Sequence, residues 1–260
     1  MSEYYVDSYS IEDLRDDLCR VVEYFKEQEW HENAMQVALI EGRQLSPEIV
    51  EECDAFFIPE DLTMSQIPDW IKSEPIGLVR YKKFLYYAGR IVYPVKDVKG
   101  KVMGFCGWDP FEEPKYLDSR NYGYKAKDTT LFGMEKLPEY YASGKPVFVT
   151  EGIVCCLYLR SLGYQALALL GSHATPYVLQ ILSRFKDKLI LVPDNDEAGN
   201  SLVKQAKWNL KKCLIIQCKV GKDIDGMRKF EEHSYEKDLQ EDLKLLVTLP
   251  FCNLKTFIRR

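Results

Sequence analysis

The chain has 260 residues, 46% of them hydrophobic and 29% charged, with a formal net charge of −5. That length and apolar content fill one large core or two modest ones and exclude a disordered chain. No apolar run approaches the roughly 20 residues of a membrane span. The start MSEYYVDSYS has neither the basic nor the apolar stretch of a secretory signal, so the expected location is the cytoplasm with no membrane partner.

The charge is unevenly spread. Residues 1–79 carry 19 Asp/Glu against 5 Lys/Arg, residues 80–130 carry 6 against 11, and residues 131–260 carry 15 against 19. An acidic first third beside a basic middle keeps a polyanionic partner open. The eight cysteines are scattered, with no paired CxxC or CxH elements to close a tetrahedral site, so neither disulfides nor structural zinc is expected. Cys213 and Cys218, inside a β-rich run, read as small apolar groups.

In chain order, residues 11–29 place Ile11, Leu14, Leu18, Val21 or Val22 and Phe25 at helical spacing, and 31–41 continue as helix to Gly42. Ser46-Pro47 supplies a cap and a first-turn proline for a helix in SPEIVEEC. Near residue 77 the character changes: GRIVYPVKDVKGKVMGFCGW (89–108) is two β-rich runs around a polar, glycine-bearing turn, a hairpin in which Pro94 implies an edge or strand-end position. Residues 109–145 read as irregular chain with short elements.

From residue 146 the pattern becomes regular. PVFVT, ALALL, KLILV and CLIIQCKV read as strands, alternating with helices over 153–162, from Thr175-Pro176 to about Phe185, and over 197–212. Four strands alternating with three helices predict an α/β fold with a four-stranded parallel sheet covered on both faces.

In such sheets functional groups gather at the carboxyl ends of the strands. The first strand ends in Glu151-Gly152, the third in Asp194-Asn195-Asp196, and the fourth is followed by Asp223 and Asp225. Five carboxylates on one rim repel each other unless a cation compensates. Oxygen-only ligands suit a hard ion, and Mg2+ characteristically combines one or two carboxylates with waters and substrate phosphates. Asn195 is expected as a spacer, and Glu197 as favouring the next helix's N-terminus.

The order strand-EG-helix, strand-G-helix, strand-DxDxAG-helix, strand-then-DxD from Val147 to Asp225 resembles the Toprim domain of bacterial-type primases, topoisomerases and certain nucleases. Upstream, RIVYPVKDVKGKVMGFCGW, PKYLDS (114–119) and KDTTLFGMEKL (127–137) are similar to the run that precedes Toprim in DnaG-like bacterial primases, and EGRQLSPEIVEEC resembles the start of that core. The resemblance covers roughly residues 31–230. It implies a mixed α+β N-terminal subdomain over 1–138, a Toprim catalytic domain over 139–230 and a short tail over 231–260.

The activity it implies is a DNA primase that joins ribonucleoside triphosphates on a single-stranded DNA template by metal-dependent nucleotidyl transfer. Glu151, Asp194 and Asp196 become candidate catalytic residues, and with Asp223 and Asp225 candidate ligands for Mg2+, with Mn2+ as a substitute. Arg90, Lys115, Tyr116 and Lys127 match positions that line the nucleotide and template groove. The basic excess of residues 80–130 suits that role, because phosphoryl transfer needs positive charge against triphosphate and template.

Trp108 stands where the family commonly has an arginine, so a phosphate contact is lost or replaced by base stacking, or else the ring is packed. No zinc-binding module or helicase-binding domain is recognisable. A replicative helicase and a zinc-binding module acting in trans are therefore expected partners, and a bacteriophage is the expected source. A Toprim nuclease and a non-catalytic single-strand-binding subunit remain alternatives. His173 reads as a helix-start residue or a substrate contact, and Tyr81, Tyr86 and Tyr87 as core or as base-stacking rings. The GxSxG, Walker and dinucleotide-binding patterns are missing.

Overall fold

Side-chain caps set two helix starts in the acidic first third. In the computed structural model, which describes residues 9–81, 84–171, 173–210 and 213–216, helix α1 (Ile11–Lys26) begins at a capping box. Ser10 Oγ accepts from the Asp13 N–H at 3.1 Å, and the Asp13 carboxylate accepts from the Ser10 N–H at 2.8 Å. Helix α2 (His31–Met35) runs on as a π-helical turn over Gln36–Glu41. Helix α3 (Pro47–Glu52) starts at Ser46, whose hydroxyl accepts from the Ile49 N–H, with proline in the first turn.

The chain divides into two compact units, Met1–Ala126 and Lys127–Arg260. In the first, strands β1 (Phe56–Ile58), β4 (Arg90–Lys96), β5 (Val102–Trp108) and β6 (Tyr116–Asp118) form an antiparallel sheet in the order β1-β4-β5-β6. Between β1 and β4 lies a small hairpin, β2 (Val79–Arg80) with β3 (Phe84–Leu85). The apolar stripe of α1, Leu14, Leu18, Val21, Val22 and Phe25, shares a core with Phe56, Ile58, Val92 and Phe105. Phe25 stacks on Phe56 at 5.1 Å between ring centroids.

The expected hairpin is β4–β5, but β4 is an interior strand rather than an edge. Pro94 is tolerated there because β1 pairs only with Arg90–Val92 and stops short of it. On its other side Pro94 stands opposite Phe105 of β5.

The second unit is the expected α/β layer. Strands β7 (Val147–Thr150), β8 (Gln165–Ala168), β9 (Leu189–Val192) and β10 (Leu214–Ile215) form a four-stranded parallel sheet in the order β10-β9-β7-β8. Every residue of β7 and β9 is buried, as a strand covered on both faces requires. The connections are α6 (Ile153–Ser161), α7 (Pro176–Ser183) and α8 (Glu197–Asn209). Cys213, beside β10, is partly buried, and burial pushes its thiol up to about 11, the behaviour of an apolar group rather than of a ready thiolate. Cys218 lies outside the described residues.

Residues 127–143 contribute to the same core. Helix α4 (Ala126–Thr129) is followed by Phe132, which exchanges two backbone hydrogen bonds with Ala168 at the β8 edge, and by α5 (Leu137–Ser143). Leu131, Met134 and Leu137 are buried with Val149, Leu167 and Leu191. Gly133 has φ +86, so the backbone favours glycine, and a Cβ there would lie 1.9 Å from Arg160 Nη2, which would have to shift. Among the described residues no helix is long and apolar enough to cross a membrane.

Candidate active site

Strands β7 and β9 are neighbours with Thr150 level with Val192, so the residues that follow each emerge side by side at the carboxyl edge. Glu151 is 7% exposed. Its Oε1 accepts from the Asp194 backbone N–H at 2.9 Å, which ties the end of β7 to the turn after β9. Behind it, the Thr150 hydroxyl donates to the Gly152 carbonyl at 2.9 Å and shapes the step into α6. A charged acceptor for a backbone N–H is among the stronger hydrogen bonds, and burial strengthens it further.

In the turn after β9, Asp194 and Asp196 are half-buried while Asn195 and Glu197 are exposed. Asn195 is thus the outward spacer. The cap of α8 is Asp196, not Glu197: its Oδ1 accepts from the Gly199 N–H at 2.9 Å. Aspartate is a preferred N-cap, and that preference, applied to DEAG, is the signal that finds this role. Gly199 packs on the backbone of Asp194, where a Cβ would stand 2.0 Å from the carbonyl oxygen.

Of the five expected carboxylates, Glu151, Asp194 and Asp196 lie at adjacent strand ends of one edge; Asp223 and Asp225 lie outside the described residues. The oxygen-only donor set suits a hard cation such as Mg2+. Among the described residues, however, no three His, Cys, Asp or Glu side chains are grouped to hold an ion by themselves. Glu151 Oε1 and Asp196 Oδ1 each already accept a backbone N–H. The donor chemistry fits the ion, and the described carboxylates alone do not complete its shell.

In the first unit, Arg90 at the start of β4 is 7% exposed and donates from Nη1 to the Lys115 carbonyl at 3.2 Å. Gly107 admits it: a Cβ there would meet the Tyr87 ring at 2.4 Å and Arg90 Cδ at 3.2 Å. Arg90 thereby fixes the backbone of PKYLDS, and Lys115 lies half-buried with its ammonium 5.9 Å from the Tyr116 ring centre. Tyr116 pairs with Trp108 across β5–β6. Trp108 is 3% exposed, with the guanidinium of buried Arg43 stacked 4.7 Å from its ring centre, so it is a packed residue, not a base-stacking one. Arg43 carries no local sequence signal for this role, because Trp108 is far from it along the chain. Tyr87 is buried and Tyr86 half-buried under Arg80, whereas Tyr81 is exposed.

Lys127 is exposed on α4 and belongs to the second unit. The carbonyl of the next residue, Asp128, accepts from Thr175 Oγ1 at 2.7 Å, which fastens this turn to the start of α7. Thr175 also caps α7 by accepting from the Val178 N–H, and His173, two residues earlier, is exposed.

Two sequence families match in tandem: DNA primase catalytic core, N-terminal domain, over residues 24–138, and Toprim-like over residues 148–227. A DNA primase of Aquifex aeolicus is 28% identical over 200 residues, which cover 73% of this chain and 40% of that protein. The crystal structure of an Aquifex aeolicus primase comprising zinc-binding and RNA polymerase domains superposes with a TM-score of 0.73 at 23% identity, covering 94% of this chain and 63% of that one. A DnaG primase catalytic domain bound to single-stranded DNA superposes with a TM-score of 0.69 at 22% identity, covering 88% and 78%. The structural matches establish a shared fold. The chain spans less than half the length of these curated relatives, 40% and 43% for two of them.

Proposed function

The chain carries a DnaG-like DNA primase catalytic core with a Toprim domain, and on that premise we propose that it synthesises short RNA primers on single-stranded DNA during replication. The observation that carries this reading is the bond between Glu151 Oε1 and the Asp194 N–H. It fixes two acidic strand ends to each other in a chain that also holds PKYLDS and the Lys127 turn.

In this reading Asp194 and Asp196, with Asp223 and Asp225 from the chain beyond β10, hold Mg2+, with Mn2+ as a substitute, and Glu151 sets the position of Asp194. When bound, the ion supplies positive charge against the phosphates and favours ionisation of the primer's 3′-hydroxyl. Lys115, Tyr116 and Lys127 contact nucleotide and template, the lysines through phosphate oxygens and Tyr116 through its ring. Arg90 acts at one remove, by holding the Lys115 carbonyl. Because Glu151 is buried and already accepts a backbone N–H, its first duty is orientation; proton transfer falls to groups in contact with the substrate. A replicative helicase and a zinc-binding module supplied in trans are the partners this reading expects.

The test is primer synthesis from labelled ribonucleotides on single-stranded template with Mg2+, with and without an added helicase and zinc-binding module. Asp194→Asn keeps the side chain's shape and the backbone N–H given to Glu151. It is expected to lose product by roughly a hundredfold or more while its unfolding midpoint is unchanged. Undiminished synthesis by that variant overturns the mechanism. Strand cleavage without nucleotides would assign the same carboxylates to a nuclease.

A further inference from the structure

After β8, the backbone of Leu169, Gly171 and Ala174 is anchored by more bonds than the start of the next helix needs. β8 runs beside β7 with Ala168 level with Thr150, so the loop leaves the sheet on the same edge as Glu151. The Leu169 N–H donates to the Thr150 carbonyl at 2.9 Å, and the Gly171 N–H to the Glu151 carbonyl at 3.3 Å. Between and at these anchors, Leu170 with φ +61 and Gly171 with φ +143 both have positive φ. Further on, the side-chain amide of Gln205 on α8 clamps both backbone groups of Ala174: its Oε1 accepts from the N–H at 3.2 Å and its Nε2 donates to the carbonyl at 2.8 Å.

His173 sits between these anchors with its side chain exposed. Starting α7 does not require it, because Thr175 caps that helix and Pro176 fills its first turn. Holding the loop does not require it either, since the anchors are backbone groups. What these bonds do is hold the backbone at Gly171, bonded to Glu151, and at Ala174, clamped to α8, the helix that Asp196 caps, so that His173 presents an exposed imidazole close to that edge. Thr175, two residues on, fastens the Lys127 turn to the same place. An edge lined by Glu151, Asp194 and Asp196 repels a polyphosphate unless donors on the same rim meet its oxygens. His173 and Lys127 are side chains of that kind, on backbone held in advance of binding.

We propose that His173 is a further nucleotide-contacting residue, donating a ring N–H to a phosphate oxygen of the ribonucleoside triphosphate bound at the Glu151 edge. This rests on the primase reading above.

The test is equilibrium binding of a fluorescent ribonucleoside triphosphate to the full chain in Mg2+, with pyrophosphate as competitor, alongside primer synthesis. For His173→Ala, nucleotide Kd and KM are expected to rise about tenfold, the loss of one hydrogen bond to a charged oxygen, with kcat within about twofold. Pyrophosphate should compete correspondingly less well. His173→Gln, which keeps an N–H donor, should recover most of the affinity, a rescue that a purely structural role would not give. Should His173→Ala disturb folding, the Gln variant alone decides: affinity near wild type supports the contact, and a tenfold loss overturns it. If the wild-type chain binds and polymerises while His173→Ala binds equally well, or loses kcat at unchanged affinity, this inference falls alone. If the wild-type chain neither binds nor polymerises, the primase reading falls and takes the inference with it.

Discussion

Replacing Gly199 with alanine strikes the acidic edge without touching any carboxylate. The added Cβ would stand 2.0 Å from the Asp194 carbonyl oxygen, 2.9 Å from its carbonyl carbon and 3.0 Å from its nitrogen, where 3.0 Å is a distance real Cβ atoms essentially never undercut. All three are backbone atoms that cannot rotate away, so the first turn of α8 and the Asp194 turn must separate by about 1 Å, an overpacking cost of about 1–3 kcal/mol. Two bonds flank that contact, Gly199 N–H to Asp196 Oδ1 in the cap of α8 and Asp194 N–H to Glu151 Oε1 in the turn, each 2.9 Å. Stretching either by that amount takes it out of hydrogen-bonding range and costs about 1.5–3 kcal/mol for a bond to a charged group. Alanine's better helix propensity returns about 1 kcal/mol. The net expectation is a loss of about 2 kcal/mol or more, read from urea unfolding. Primer synthesis, measured where the variant is still folded, should fall on the order of a hundredfold, the cost of a 1 Å misplacement of reacting groups. Wild-type stability together with wild-type synthesis in Gly199→Ala would refute this account of the edge.

Two further outcomes follow from the first unit. Burial pushes the Asp54 carboxyl up, but hydrogen bonds from Lys26 and Lys96 outweigh it and leave its pKa below the ordinary 3.8. A carboxyl lowered in the folded state contributes stability above its unfolded value that is lost as pH falls through the folded one. Asp54→Asn, which tolerates the local φ of +53, should therefore cost about 1 kcal/mol at neutral pH, and urea midpoints followed downward from pH 5 should decline less steeply than wild type. Trp108→Ala should cost about 3–5 kcal/mol, the usual loss for emptying a buried aromatic site, with single-strand affinity of the folded protein near wild type. Full stability with lost affinity would return Trp108 to base stacking.

The second unit was legible in the sequence because its signals are local. Short apolar runs, glycine or proline stops and Thr175-Pro176 each act within a few residues, and together they place four parallel strands and the acids at their ends. What was not legible depends on contacts between distant segments or on one side chain having two uses. Asp196 fits both a ligand and a cap by residue type, and the bond from the Gly199 N–H to its Oδ1 shows that one of its oxygens belongs to the helix. Trp108 reads as a substituted phosphate contact until Arg43, far away in sequence, is found against its ring. Pro94 signalled a strand end correctly in a local sense, yet it was the short reach of β1 that supplied the end, within a strand that is interior elsewhere. Asp223 and Asp225 lie outside the described residues and rest on the sequence alone.

Packing also divides the basic residues in a way that charge counting could not. The family match for the N-terminal domain runs to residue 138, but Leu131, Met134 and Leu137 bury themselves in the core of the parallel sheet, and Phe132 bonds to Ala168 at its edge. Lys127 therefore belongs to the unit that carries Glu151, and Thr175 fastens its turn there, whereas Arg90 and Lys115 belong to the antiparallel sheet. If Lys127 meets the nucleotide, its placement relative to the carboxylates is set within one packed core. The Gly133 position, where φ is positive and a Cβ would displace the buried Arg160 side chain, is then a structural condition for that lysine's placement as much as for the sheet edge.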